Sequence, residues 1–409
     1  MREPDIHSLL PAAMAPLRND ALHGVRIGIV VREWSPQFGG NISLGILAGH
    51  LAASGAEITF LLTESDVEPS ARHDGMRYVA VSQGRGSLSA LVRESLRQDM
   101  LIIVGEKPRL AFLALQWLRP VVFLRLDTIL TCPAGTRYLP RSSAVCGRNV
   151  GLSCLAVHDS EGCLGGLSRT RQLARIAARV SDMLLLRGFR NFAANSHACA
   201  SRHRRPARVF HPPCPKPVSL VREYGSADLI FVGRLAESKG GVDTIDILAR
   251  ATRAGTLHVV GDGPARPAME AAAAKAGIQQ RVIFHGWMGA EQRDALILRC
   301  GVTIMCSKWD EAFGRIGPES FALGTPVVAY DVGGVSEWCK TPAGRLVACG
   351  DTADAAMAVD RFLSDREIWN EASNAARRFA AAFTDDAYAA QWIAYIKELL
   401  GARREAASR

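Results

Sequence analysis

Short apolar runs alternate with helix-length segments along this chain, the alternation breaks once, and then it begins again. Val25–Val31, Glu57–Leu62, Met76–Val81, Met100–Val104 and Val121–Arg125 are strand-like runs, separated by helical stretches near Ile42–Ala52, Leu88–Gln98 and Leu110–Trp117. Strands that are apolar along their whole length are those covered on both faces, and β-α repetition of this kind builds a doubly wound parallel sheet. Residues 130–165 break the rhythm, and Pro212, Pro213, Pro215 and Pro217 mark the best boundary. It then restarts: strands Asp228–Val232, Thr256–Val260, Val282–His285 and Val302–Met305 alternate with helices Gly241–Ala254, Ala265–Ala276 and Ala290–Arg299. A chain of 409 residues is long enough for two such domains, each with its own core. The expected division is a polar leader, 1–24, a first α/β domain, 25–211, a second, 212–385, and a tail, 386–409, with a helix over Ala387–Leu400.

Composition narrows the function. At 48% hydrophobic and 22% charged the chain has no signature of disorder. No apolar run approaches the roughly 18–20 residues that a spanning helix needs. The leader carries acids and prolines and lacks a signal-peptide block, so a cytoplasmic protein is expected. The net charge of +9 would suit a phosphate-bearing ligand, an anionic membrane surface or nucleic acid. No aromatic residues are interleaved with the basic ones as a base-stacking platform requires, so nucleic acid is not expected as a partner. A helix from Gly166 to Leu186 carries Arg171, Arg175 and Arg179 at four-residue spacing, with Leu173, Ile176, Val180 and Leu184 on another face. Such a stripe is either a solvated face or a contact for anionic lipid, which leaves a peripheral position at the inner face of the membrane open.

Two stretches carry the chemistry. From Trp309 the chain reads WDEAFGRIGPESFALGTPVVAYDVGG, with Glu311 and Glu319 eight positions apart, Phe313-Gly314 between them, then a short helix, a buried strand at Pro326–Tyr330 and a Gly-Gly turn. This is a strand-loop-helix-strand unit, with its acids where an α/β sheet presents its ligand edge. A carboxylate accepts two hydrogen bonds at once and so suits neighbouring sugar hydroxyls, although a solvated acidic loop would read similarly. The second stretch, FVGRLAESKGG from Phe231, follows a strand with Arg234 and Lys239 and opens the next helix at Gly240-Gly241. Two cations and free N–H groups converging on one place suit a diphosphate. Weaker signals are the glycine turns at Gly39-Gly40 and Gly261-Asp262-Gly263, and Phe284-His285-Gly286-Trp287 at a strand end.

Together these motifs resemble the retaining group-1 (family 4) glycosyltransferases, whose architecture is GT-B: two facing Rossmann-like domains, a cleft between them, and a C-terminal helix crossing back to pack on the first. Glu311, Phe313, Gly314, Glu319, Gly324, Pro326, Val327, Val328, Gly333 and Gly334 match the E-x7-E element, and Gly233-Arg234-Leu235…Lys239-Gly240 matches the phosphate signature. The resemblance implies transfer of a hexose or N-acetylhexosamine from a nucleotide-diphosphate sugar, with UDP as the expected nucleotide, to a hydroxyl acceptor such as a glycan, glycolipid or secondary metabolite. Under it, Arg234 and Lys239 hold the diphosphate, Glu311 touches the donor sugar and Glu319 the ribose. Gly39, Gly40, Gly261, Gly263 and the backbone of Phe313, Gly314, Arg315 and Ile316 line the donor, Phe284–Met288 falls by the nucleobase, and no cofactor is required. A sugar-nucleotide epimerase or hydrolase of the same fold, or a non-catalytic binding protein, are the alternatives.

The first domain departs from the family. A histidine common after its fifth strand is absent, Leu126 standing about where it would fall, and Glu106 and Lys107 replace a histidine-bearing loop. Arg32, Arg125 and Asp127 are therefore the acceptor-side candidates. Next comes an insertion, 130–165, expected to be a long irregular loop beside the acceptor, with Cys132, Cys146, Cys154 and Cys163. These thiols could hold a structural zinc, form a disulfide or remain reduced; they lack the C-x2-C knuckle that marks zinc sites.

Overall fold

The computed structural model describes residues 20–32, 34, 39–64, 75–81, 87–105, 109–214, 224 and 226–407. The leader up to residue 19, Glu106, Lys107, Pro215 and Pro217 lie outside them, as do residues 35–38 of the first glycine loop. In chain order the strands are β1 (Arg26–Val31), β2 (Glu57–Leu62), β3 (Arg77–Ala80), β4 (Met100–Val104), β5 (Val121–Arg125), β6 (Tyr138–Leu139), β7 (Ala144–Val145), β8 (Asn191–Ala194) and β9 (Arg208–Val209). They continue as β10 (Leu229–Val232), β11 (Leu257–Val260), β12 (Val282–Gly286), β13 (Val302–Met305), β14 (Val327–Tyr330) and β15 (Gly344–Val347).

Both expected parallel sheets are present. One runs β3-β2-β1-β4-β5-β8-β9, the other β12-β11-β10-β13-β14-β15. In each, the first strand stands between the second and a later one, so the connections reverse direction there and leave a crevice at the strands' carboxyl ends. In the second sheet that switch point lies between β10 and β13, which pair at Leu229↔Val302 and Ile230↔Thr303. The strands are apolar because both faces are covered: all of β4, β5, β13 and β14 is buried.

The chain forms two compact units. One contains the described residues up to Pro133, Leu173–Pro213 and the chain from Thr384; the other contains Ala134–Gln172 and Cys214–Phe383. In the first unit the helix Asp385–Ala407 buries Tyr388, Trp392, Ile393, Tyr395 and Ile396 in the core under β1, β2 and β4. Trp392 stacks on Phe210 with ring centroids 4.1 Å apart.

Three expectations are corrected. From Ala134 on, the insertion groups with the second unit rather than with the first domain, and its polar contacts run to loops of the second sheet, as described below. It is also less irregular than expected, containing the antiparallel hairpin β6–β7 and a helix, Ser153–Glu161. The helix Arg169–Leu186 exposes Leu173 and Leu184 and buries only part of the expected apolar stripe, Ile176 among it, while Arg179 is half-buried beside Asp182. β15, which apolar patterning did not suggest, adds an edge to the second sheet with only Gly344 and Val347 buried.

Candidate active site

The second unit gathers the two motifs at its switch point. The loop after β10 carries Arg234 and a single 3-10 turn, Glu237–Lys239, before the helix Gly241–Arg250. The loop after β13 carries Ser307 through Glu311. The two backbones touch at Gly240, whose φ of 70° places it in the left-handed region, and a Cβ there would stand 1.9 Å from the carbonyl oxygen of Cys306. Lys308 N–H donates to the Ser238 carbonyl at 2.8 Å and closes the contact.

This junction brings Lys239 Nζ to 2.5 Å from Glu311 Oε1. Ser307 Oγ donates to the same oxygen at 2.7 Å, and the ammonium lies 4.7 Å from the centre of the Trp309 ring. The Glu311 side chain is 7% exposed, that of Lys239 28%, so the pair opens to solvent on the lysine side. Burial pushes the Glu311 carboxyl up, but the charge of Lys239 and the bonds from Lys239 and Ser307 outweigh it and hold it below its ordinary range. Behind the pair, Gly334 N–H donates to the Glu311 carbonyl at 2.8 Å, so the Gly-Gly turn after β14 steadies the acidic residue's backbone. Arg234 is exposed at the end of β10.

Glu319 sits in the first turn of the buried helix Ile316–Ala322. Its two oxygens face Arg315 Nη2 at 2.8 Å and Arg293 Nη1 at 3.3 Å. Arg293, on the helix Ala290–Arg299, also pairs with Asp294 at 2.6 Å and was not among the expected site residues. No local pattern marks it; only packing brings its helix beside Glu319. Phe313 is buried and its carbonyl accepts a 2.6 Å bond from Trp338 Nε1, so that oxygen is already engaged, while Gly314, Arg315 and Ile316 complete the turn into the helix. Gly261, with φ 125°, is where a Cβ would stand 2.0 Å from the Gly233 carbonyl, and its N–H bonds Gly286 at 2.7 Å. Gly263 lies against Leu235 in the same way. At the strand end beside them, His285 Nε2 is 3.0 Å from His258 Nδ1, and burial with the neighbouring imidazole lowers its pKa. Trp287 is 71% exposed.

In the first unit the expected residues behave differently. Arg125 is 1% exposed and its guanidinium is held by Asp127, so it cannot itself face an acceptor. It instead orients Asp127, whose carboxylate also accepts from Ile129 N–H at 3.0 Å and keeps 27% side-chain exposure. Arg32 is exposed at the end of β1, 2.5 Å from Glu64. Gly39 and Gly40 open the helix Gly39–Ala53 rather than forming a turn before it, and Leu126 packs toward Gly40.

The cysteines of the insertion are half-buried and outside disulfides. Cys132 belongs to the first unit and Cys146, Cys154 and Cys163 to the second, and among the described residues these last three sulfurs do not all lie within 4.8 Å of one another. Among the described residues, no helix is long and apolar enough to cross a membrane.

Residues 218–379 match the family of glycosyl transferases group 1. The chain is 39% identical over 147 residues to a 2-deoxystreptamine glucosyltransferase and 32% identical over 188 residues to an alpha-D-kanosaminyltransferase, both of Streptomyces kanamyceticus. These matches take in 35% and 44% of this chain, and the chain spans only 38% and 48% of those relatives' own lengths. Among solved structures, Anabaena HepE in complex with UDP superposes with a TM-score of 0.69 at 17% identity, over 92% of this chain and 100% of that one. Sucrose-phosphate synthase from Thermosynechococcus elongatus superposes at 0.68 and 19% identity, with the same coverage of both chains. The shared architecture is the GT-B fold.

Proposed function

We propose, from the premise that this chain belongs through residues 218–379 to the group 1 glycosyltransferases, that it transfers a hexose or N-acetylhexosamine with retention from a nucleotide-diphosphate sugar to a hydroxyl. UDP is the nucleotide we assign, and a glycan, glycolipid or secondary metabolite the acceptor. The observation that carries this reading is the Lys239–Glu311 pair, drawn from two loops at a sheet's switch point, one of which also carries an exposed Arg234. As the sugar–phosphate bond breaks, charge builds on the departing diphosphate, and preorganised cations stabilise it where it forms. Lys239 and Arg234 supply those cations without a metal, and the amino end of the helix Gly241–Arg250 adds N–H groups. Glu311, held ionised, orients the donor sugar, and Glu319, fixed between Arg293 and Arg315, offers its remaining lone pairs to the ribose. The departing phosphate takes the acceptor's proton on the face it leaves, so no protein nucleophile is required and positioning dominates the rate.

The test offers UDP- and GDP-sugars to the purified protein with and without acceptors, aminocyclitols among them, and measures nucleotide release and product anomeric configuration. Acceptor-dependent release of one nucleotide, with retained configuration and loss in Glu311→Ala, is expected. Equal release without acceptor would instead indicate a hydrolase or a hydrolysing epimerase, and binding without turnover a sugar-nucleotide binding protein.

A further inference from the structure

The insertion reaches both loops of the site. Arg137, just before β6, is 2% exposed and its Nε lies 3.1 Å from Asp310 Oδ2, itself 1% exposed. Tyr138 OH donates to Glu237 Oε1 at 2.9 Å. Asp310 immediately precedes Glu311, and Glu237 stands two residues before Lys239 in the same 3-10 turn. One hairpin therefore takes hold of the chain next to each member of the Lys239–Glu311 pair.

Its own geometry is set for that grip. Arg137 has φ 52°, which a non-glycine residue adopts only when its surroundings hold it there. Cys146 across the hairpin supplies that hold: its N–H donates to the Arg137 carbonyl at 2.7 Å, and its carbonyl accepts from Arg137 Nη2 at 2.6 Å. Val145 packs against the second unit's core, which seats the hairpin from below. Burial first, then the neighbouring Glu237 carboxylate, pushes the Tyr138 hydroxyl up to about 12, so it remains a donor at neutral pH. A buried ion pair gains little net stability over apolar packing, because desolvating two charges offsets their attraction. What Arg137–Asp310 does supply is a single geometry.

We propose that Arg137 and Tyr138 are positioning residues of the donor site: the hairpin braces the loops after β10 and β13 so that Lys239 and Glu311 face the donor before it arrives. The proposal rests on the donor reading above. Without the brace those loops would have to be ordered by the donor itself, and apparent affinity falls by the fraction of molecules not yet competent.

The experiment compares the full chain with Tyr138→Phe and Arg137→Lys, reading melting temperature, donor KM and kcat, and hydrogen exchange of peptides covering 233–240 and 309–316. Tyr138→Phe keeps the ring buried and leaves Glu237 at the surface. It is expected to melt with the wild type, to exchange faster in 233–240, and to raise donor KM roughly tenfold while kcat stays within about twofold. Arg137→Lys is expected to act likewise on 309–316. Unchanged KM and exchange in folded variants would overturn the proposal, as would a fall in apparent kcat alone, which reports a smaller folded fraction. Should the wild type turn over no nucleotide sugar, the donor reading fails by itself. The exchange measurement still decides the brace: faster local exchange supports it, and unchanged exchange rejects it.

Discussion

Glu311 makes the site's charge balance measurable. Its carboxyl is held below its ordinary value of 4.5, so its contribution to stability is complete above that value and is lost as pH falls through the depressed one. Urea midpoints of the wild type and Glu311→Gln should therefore differ most at neutral pH and converge between about pH 4.5 and the acid limb; a constant difference would show that Lys239 does not set the titration. Lys239→Ala removes the counter-charge of Glu311 together with the cation proposed above for the diphosphate. Turnover should fall about a hundredfold, roughly 3 kcal/mol of barrier, as for loss of a single preorganised donor, and steady-state kinetics measures it. At this scale the motif residues were legible because their chemistry is local: a cation after a strand, an acid before a helix. Arg125 was not legible as an interior residue, since an arginine at a strand end usually reaches solvent, and here its Nη2 is paired with Asp127 within the fold.

At Gly240 two loops of this site meet through backbone. Gly240 ends the Glu237–Lys239 turn and caps the helix Gly241–Arg250 in a left-handed conformation that costs other residues about 1–2 kcal/mol. A Cβ would also press into Cys306, so Gly240→Ala should separate the two loops. We expect a melting temperature lower by several degrees for a loss of about 1–2 kcal/mol, with turnover falling more than stability because the Lys239–Glu311 distance depends on this contact. Calorimetry and an activity assay measure both; wild-type values in each would show that the loops need no such approach. The main strands were read from the sequence because buried parallel strands are continuous apolar runs. The hairpin β6–β7 escaped because each of its strands is two residues long, and β15 because only its two end residues are buried, so neither reads as a continuous apolar run.

For the molecule as a whole, the last helix belongs to the first unit's core. Ending the chain at Thr384 would strip Tyr388, Trp392, Ile393, Tyr395 and Ile396 from that core, each worth about 1.5–3 kcal/mol of burial. Such a truncation should be recovered as aggregate, or bind a hydrophobic dye strongly, while a folded, soluble product would show that the first sheet closes its core unaided. The sequence by itself determined the two doubly wound sheets and the motifs on the loops after β10 and β13, because strand burial, turn chemistry and helix starts act over neighbouring residues. Only the tertiary structure decided that Lys239 meets Glu311, that Arg293 stands beside Glu319, and that the insertion joins the second unit through Arg137 and Tyr138. Those contacts join residues tens to more than a hundred positions apart, and they exist only where packed sheets bring separate loops within hydrogen-bond reach.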